Sequence, residues 1–259
     1  MNQPTHLFGI CHLSIVPVRS EPSDRSEQVT QLLFGNCFEV LESQKKWIQI
    51  RIQEDQYEGW IDAKQWRALT DDQYKLLQSV APKLSADLLE FIVGNDNYLM
   101  PIPLGSQLNF LDFPEINTDK FVYEGLSFSG IKPKNEILKT AFLYLNAPYL
   151  WGGKTPFGID CSGFTQMVYK LNGYALDRDA SQQALQGEAL SFIEESEPGD
   201  LAFFDNEEGN IIHVGIIMQD HYIIHASGKV RIDRLDHLGI FNVDFNQHTH
   251  KLRVIKKII

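Results

Sequence analysis

Gly158-Ile159-Asp160-Cys161-Ser162-Gly163-Phe164-Thr165-Gln166-Met167-Val168-Tyr169-Lys170-Leu171-Asn172-Gly173 reads as a tight loop running into a helix. Phe164, Met167, Val168 and Leu171 recur at the spacing of one buried helical stripe, and Asn172-Gly173 supplies a C-terminal stop. Gly152, Gly153, Gly158 and Pro156 force an irregular approach, so the helix starts at about Asp160 and Cys161 falls in its first turn. Unpaired amides and the partial positive charge of a helix start favour a thiolate and can hold an oxyanion. A cysteine alone in a domain is more often an inert buried residue, so its partners decide the reading.

Those partners stand downstream. Ile211-Ile-His213-Val-Gly215-Ile-Ile-Met218 and Tyr222-Ile-Ile-His225-Ala-Ser227 are apolar strand patterns, each interrupted by a histidine, with Gln219-Asp220-His221 between them. If that three-residue loop closes an antiparallel hairpin, Met218 faces Tyr222, Gly215 faces His225, and His213 lies on the same face two positions along. A two-residue loop without a bulge would put the histidines on opposite faces. Cys161, His213 and His225 then supply a nucleophile, a base and a group that orients the base. The histidines are not spaced as a helical metal-binding pair and Cys161 has no cysteine partner nearby, so no metal is expected.

Working upstream, residues 135–145 carry a helical pattern with Ile137, Leu138, Ala141, Phe142 and Leu145 as its apolar stripe, led in by Pro133. This sets the last boundary near residues 130–134 and a final domain over 131–259. Residues 1–69 are short strands broken by turns, as in a small β-barrel. The alternation of Trp47-Ile48-Gln49-Ile50-Arg51-Ile52 is that of a half-buried antiparallel strand. Residues 71–81 read as a helix with Tyr74, Leu77 and Val80 on one side, ended by Pro82. The rest of 70–130 is β-rich, either a second small barrel or a linker insertion packed on a neighbour.

The chain has 259 residues, a formal charge of -11 and only 23 Lys and Arg, which argues against a nucleic-acid partner because phosphate neutralisation needs clustered cations. Three scattered cysteines are too few for a disulfide framework and fit a reducing compartment. Neither a secretory leader nor a bilayer-spanning apolar run is visible, so membrane insertion is not expected and the protein is expected in the cytoplasm. A leader removed beforehand would make it periplasmic or secreted.

Pro148-Tyr149-Leu-Trp151-Gly-Gly153, Asp160-Cys161-Ser162-Gly163-Phe164, Arg178 with Ser181 and Gln183, Glu197-Pro-Gly-Asp200-Leu-Ala-Phe-Phe204 and His213-Val-Gly-Ile together resemble the NlpC/p60 family of peptidoglycan peptidases. The acidic loop at 19–27, the Gly35 turn and Tyr57-Glu-Gly-Trp60-Ile resemble bacterial SH3-like domains. The resemblance implies an α+β chain, with a permuted papain-like C-terminal peptidase domain preceded by one or two small SH3-like β-barrels.

It also implies a cofactor-independent cysteine hydrolase, in which Cys161, His213 and His225 do the chemistry. The implied substrate is a murein peptide, cut between γ-D-glutamate and the L-diamino acid and carrying a free N-terminal L-alanine. A bound ammonium needs acceptors, which makes Asp160 the first candidate, with Tyr57 and an acid of the 21–27 loop, Glu21 or Glu27, on the barrel. Each has a plainer role: Asp160 as helix N-cap, Tyr57 in the barrel core, the glutamates on a solvated loop. Tyr149 and Trp151 would line the pocket or pack their loop; Ser162 and Ser181 would bond substrate or cap a helix and close a turn. An N-acetylmuramoyl-L-alanine amidase and an inactive wall-binding protein are the rival readings.

Overall fold

The computed structural model describes residues 7–259, so the first six residues of the expected 1–69 domain lie outside the described residues. The chain divides into two compact units between Gly130 and Ile131.

The N-terminal unit opens with β1 (Phe8–Ile10), β2 (Ile15–Arg19), β3 (Gln28–Leu33), β4 (Cys37–Ser43), β5 (Trp47–Ile52), β6 (Glu58–Asp62) and β7 (Arg67–Leu69). They pair in the order β3-β2-β6-β5-β4-β1-β7 in a closed SH3-like barrel. In β5 the buried residues are Ile48, Ile50 and Ile52, so the sequence alternation becomes one face on the barrel core with Val16, Val18, Leu32 and Phe38.

Helix α1 (Asp71–Ser79) follows, its start fixed by a reciprocal pair: Thr70 Oγ1 accepts from the Gln73 amide at 3.2 Å, and the Gln73 side chain accepts from the Thr70 amide at 3.0 Å. Tyr74 and Leu77 are buried, whereas Val80 already lies beyond the last turn. Residues 83–129 add β8 (Lys83–Ser85), β9 (Leu89–Val93), β10 (Leu99–Pro103), β11 (Val122–Tyr123) and β12 (Ser127–Ser129), in sheets β10-β9-β11 and β12-β8. Among the described residues this segment forms no large sheet of its own. Its Ile92, Ile102, Leu108, Phe110 and Phe121 share one core with Ile10, Phe34 and Leu69 of the barrel strands and loops.

The C-terminal unit begins with α2 (Glu136–Phe142). Its buried stripe is Ile137, Ala141 and then Tyr144, a spacing of four and three; Phe142 and Leu145, expected on that stripe, are 45% and 38% exposed. The helix ends before a further turn could carry Leu145 inward, and Tyr144 takes the inward place. Strands β13 (Lys154–Thr155) and β14 (Gly158–Ile159) form a small ribbon leading into α3 (Cys161–Lys170), every residue of which is buried. After α4 (Ala180–Gln183) come β15 (Glu188–Leu190), β16 (Leu201–Asp205), β17 (Ile211–Ile217), β18 (Tyr222–Ser227), β19 (Lys229–Leu235), β20 (Gly239–Asn242) and β21 (Gln247–Lys257). Successive antiparallel pairings link β16 through β21, and β21 also pairs with β16, so six strands form a closed ring of pairings. Helix α3 packs on β17 and β18 of that ring and on α2.

In the β17–β18 hairpin Gly215 pairs with His225, Ile216 with Ile224 and Ile217 with Ile223, and the Met218 amide donates to the Tyr222 carbonyl at 2.8 Å. This is the register that a three-residue loop dictates. Asp220 and His221 sit in the left-handed region, at φ 55° and 59°, which lets so short a connection reverse the chain. A Cβ at Gly215 would stand 2.8 Å from the His225 Cβ and 2.8 Å from Ile223 Cδ1, so only glycine lets the imidazole lie over it. Gly215→Ala is expected to cost about 1–3 kcal/mol through overpacking, read as a lower urea midpoint at unchanged slope.

Candidate active site

Cys161 occupies the first position of α3, and the residue before it holds the helix start in place. The Asp160 side chain accepts from the Gly163 amide at 2.6 Å and the Gly152 amide at 2.8 Å, which ties the glycine loop to the helix. Arg178, 1% exposed, grips the same carboxylate with Nη1 at 3.1 Å and Nη2 at 2.6 Å, and its Nη1 also donates to Ser162 Oγ at 2.9 Å. Asp160 is therefore the N-cap and half of a buried ion pair, and a substrate ammonium would have to share oxygens already committed to these donors. Ser162 is buried in the same network. Gln183 extends it, accepting from Thr165 Oγ1 at 2.7 Å and donating to the Ser162 carbonyl at 3.0 Å.

Cys161 is buried, with 7% of the residue exposed. Burial, followed by the nearby Asp160 charge, pushes its thiol up to about 12, against hydrogen bonds from the backbone of Val214 and Ser162 and the charge of Arg178. The sequence favours a resting thiolate, but desolvation of the sulfur outweighs the donors at the helix start and the resting group is the thiol. The Val214 backbone bond sets that sulfur against β17, the strand that carries His213 and on which α3 packs.

His213 Nε2 lies 2.8 Å from His225 Nδ1, and the rings meet edge-on at 5.0 Å between centroids. His225 Nε2 lies 3.0 Å from Asp233 Oδ2, and Arg231 clamps that carboxylate through Nε at 2.6 Å and Nη2 at 2.9 Å. A third imidazole, His250 of β21, stacks on His213 at 4.2 Å with 28° between planes. Burial, then the neighbouring His225 and His250, holds His213 well below the usual histidine range, so its free-base form dominates at neutral pH. His225 is likewise lowered by burial, opposed by Asp233, and His250 is lowered by burial to about 4.

These shifts have a thermodynamic consequence. In the unfolded chain the histidines regain their ordinary value of 6.5, so above it neither state binds the extra protons and stability is at its plateau. Below it the unfolded state takes up protons that the folded state refuses, and stability falls as pH drops from 6.5 toward about 4, where His250 itself titrates in the fold. Calorimetry at stepped pH should show the unfolding temperature falling across that window, with a smaller fall for His250→Gln.

The remaining expected residues are placed as follows. Tyr149 is half-buried, and burial, Cys161 and Asp160 all push its hydroxyl up, which sets it in the electrostatic neighbourhood of the thiol. Trp151 is 58% exposed on the loop before the nucleophile, and Ser181 is exposed on α4. Tyr57 packs against the barrel core just before β6, while Glu21 and Glu27 lie in the β2–β3 loop, all in the N-terminal unit. The sequence reading missed Asp233, Arg231 and His250. The first two had a faint signal, opposite charges two apart in an otherwise strand-like Val-Arg-Ile-Asp pattern; His250 had none.

The NlpC/P60 family matches residues 146–248, a span that contains Cys161, His213, His225 and Asp233, and the bacterial dipeptidyl-peptidase Sh3 domain matches residues 18–65. The chain is 29% identical over 214 residues to a gamma-D-glutamyl-L-lysine dipeptidyl-peptidase of Bacillus subtilis, covering 76% of this chain and 71% of that protein. It is 27% identical over 246 residues to dipeptidyl-peptidase 6 of Lysinibacillus sphaericus, covering 84% and 88%. In fold it is similar to an NlpC/P60 family protein from Bacillus cereus, with a TM-score of 0.78 at 17% identity over 97% of this chain and 99% of that one.

Proposed function

Because this chain carries an NlpC/P60 domain behind a bacterial dipeptidyl-peptidase SH3 domain, we propose that it is a cysteine endopeptidase of murein peptides. Its scissile bond is the one between γ-D-glutamate and the L-diamino acid, in peptides with a free N-terminal L-alanine. The observation that carries the reading is the buried thiol at the start of α3, set against the strand of a neutral histidine whose Nε2 is held 2.8 Å from His225. Relatives named for the γ-D-glutamyl-L-lysine bond support the choice of substrate.

The chemistry follows from the protonation states. The sulfur attacks the γ-carbonyl as its proton passes to His213, so charge separation is made during the reaction and not stored beforehand. First-turn amides of α3 are the donors for the resulting oxyanion. His213 then protonates the departing amine and activates the water that hydrolyses the thioester. A cytoplasmic, peptide-recycling setting belongs to the same proposal, supported by three free cysteines; finding the protein secreted would remove that part.

The test is mass-spectrometric product analysis with two substrates, the free-amine tripeptide L-Ala-γ-D-Glu-L-diamino acid and the same stem attached to muramic acid. Release of the diamino acid from the free tripeptide alone supports the proposal. Cleavage between muramic acid and L-alanine would replace it with the amidase reading.

A further inference from the structure

We infer that Asp233 is a positioning residue which, acting through His225, decides which nitrogen of His213 is free to take the thiol proton. The inference rests on the cysteine-hydrolase reading of the same site. Proton accounting along the chain of contacts carries it. Asp233 is 2% exposed; burial would raise its carboxyl, but hydrogen bonds from His225 and Arg231 outweigh burial and hold it ionised. An ionised carboxylate can only accept, so His225 Nε2, 3.0 Å away, must carry the hydrogen.

His225 is buried and neutral, so its Nδ1 is then a bare acceptor. His213 Nε2, at 2.8 Å, must therefore be the donor, and the lone pair of His213 falls on Nδ1. One fixed charge thus sets two tautomers in series. Without it the two directions of the His213–His225 hydrogen bond are chemically equivalent, and one of them puts the hydrogen on Nδ1, where it blocks proton uptake.

The clamp on Asp233 serves the same end. Arg231 takes one site on each carboxylate oxygen and His225 faces a second site on Oδ2, while Arg231 Nη2 is itself tied to Asp244 at 2.7 Å, just after β20. A purely structural ion pair would be complete without His225. When the thiol S–H bond breaks, its electron pair stays on sulfur and its proton goes to His213 Nδ1. Asp233 and His225 change no protonation state, and their ordered dipoles and charge stabilise the new imidazolium.

Two measurements test this. In the resting wild-type protein, imidazole ¹⁵N NMR should report both His213 and His225 with hydrogen on Nε2 and bare Nδ1; hydrogen on Nδ1 of either ring overturns the inference. Asp233→Asn should lower kcat about 100-fold or more, within the range of a lost general base, with little change in KM and with the hydrogen of His213 moved to Nδ1. A D233N protein with wild-type kcat and unchanged tautomers sinks the inference, while loss of activity in C161A would leave the hydrolase reading standing. Tautomers as stated in a protein that cuts no γ-D-glutamyl peptide would sink the hydrolase reading and keep the proton order. If D233N does not fold, the wild-type spectrum alone decides.

Discussion

Cys161→Ala is expected to lower hydrolysis of the free-amine tripeptide by on the order of 10⁴- to 10⁶-fold, the scale seen when the nucleophile of a coupled catalytic group is removed. The fold should survive the change. Helix α3 is started by the Asp160 cap on the Gly163 amide and by the Arg178 clamp, neither of which uses the sulfur. The side chain lost is buried but small, a single sulfur atom, so the unfolding temperature should move by a few degrees at most. Steady-state product formation and calorimetry on the same preparation separate the two effects. Equal product from C161A and wild type would instead favour a wall-binding protein without this activity.

The second large effect concerns stability. Arg178→Met is expected to destabilise the protein by about 3–5 kcal/mol, because it leaves the buried Asp160 carboxylate without its cation. Arg178 and the Asp160 side chain are 1% and 8% exposed, so solvent screens neither partner. Asp160 would keep the Gly152 and Gly163 amides, but those cannot neutralise its charge. Urea denaturation measures the loss. The double variant D160N/R178M should recover part of it, since the two positions share one network and their effects cannot add.

How much of this was legible in the sequence depended on whether the deciding contact was local. The start of α3 was legible because cap, glycine loop and apolar stripe all lie within 152–173. The β17–β18 register was legible because one three-residue loop fixes it, and Gly215 marks the position opposite His225. Similarly, Ile48, Ile50 and Ile52 announced the inner face of β5.

What escaped depends on contacts that spacing does not encode. Asp233 reaches His225 from the next strand, and His250 reaches His213 from β21, which returns to the site only after β20. The resting state of the Cys161 thiol escaped for a related reason. A helix start can be read from sequence, but the burial of the sulfur against β17 cannot, and burial decides the sign of the shift. In α2 the stripe was read toward Phe142 and Leu145, because Tyr144 looks like a poorer core residue until its ring packs edge-on against Phe164 at 5.9 Å.

The account centres on a thioester formed by Cys161 with the γ-acyl group of D-glutamate. A γ-p-nitroanilide of L-Ala-D-Glu, whose amine leaves readily, makes deacylation the slower step and lets the acyl-enzyme accumulate. Acid-quenched intact mass spectrometry with peptide mapping should find the L-Ala-γ-D-Glu acyl group on Cys161, formed in a burst that matches the enzyme concentration. The acyl group on any other residue, or a burst of the same size from C161A, would contradict the account.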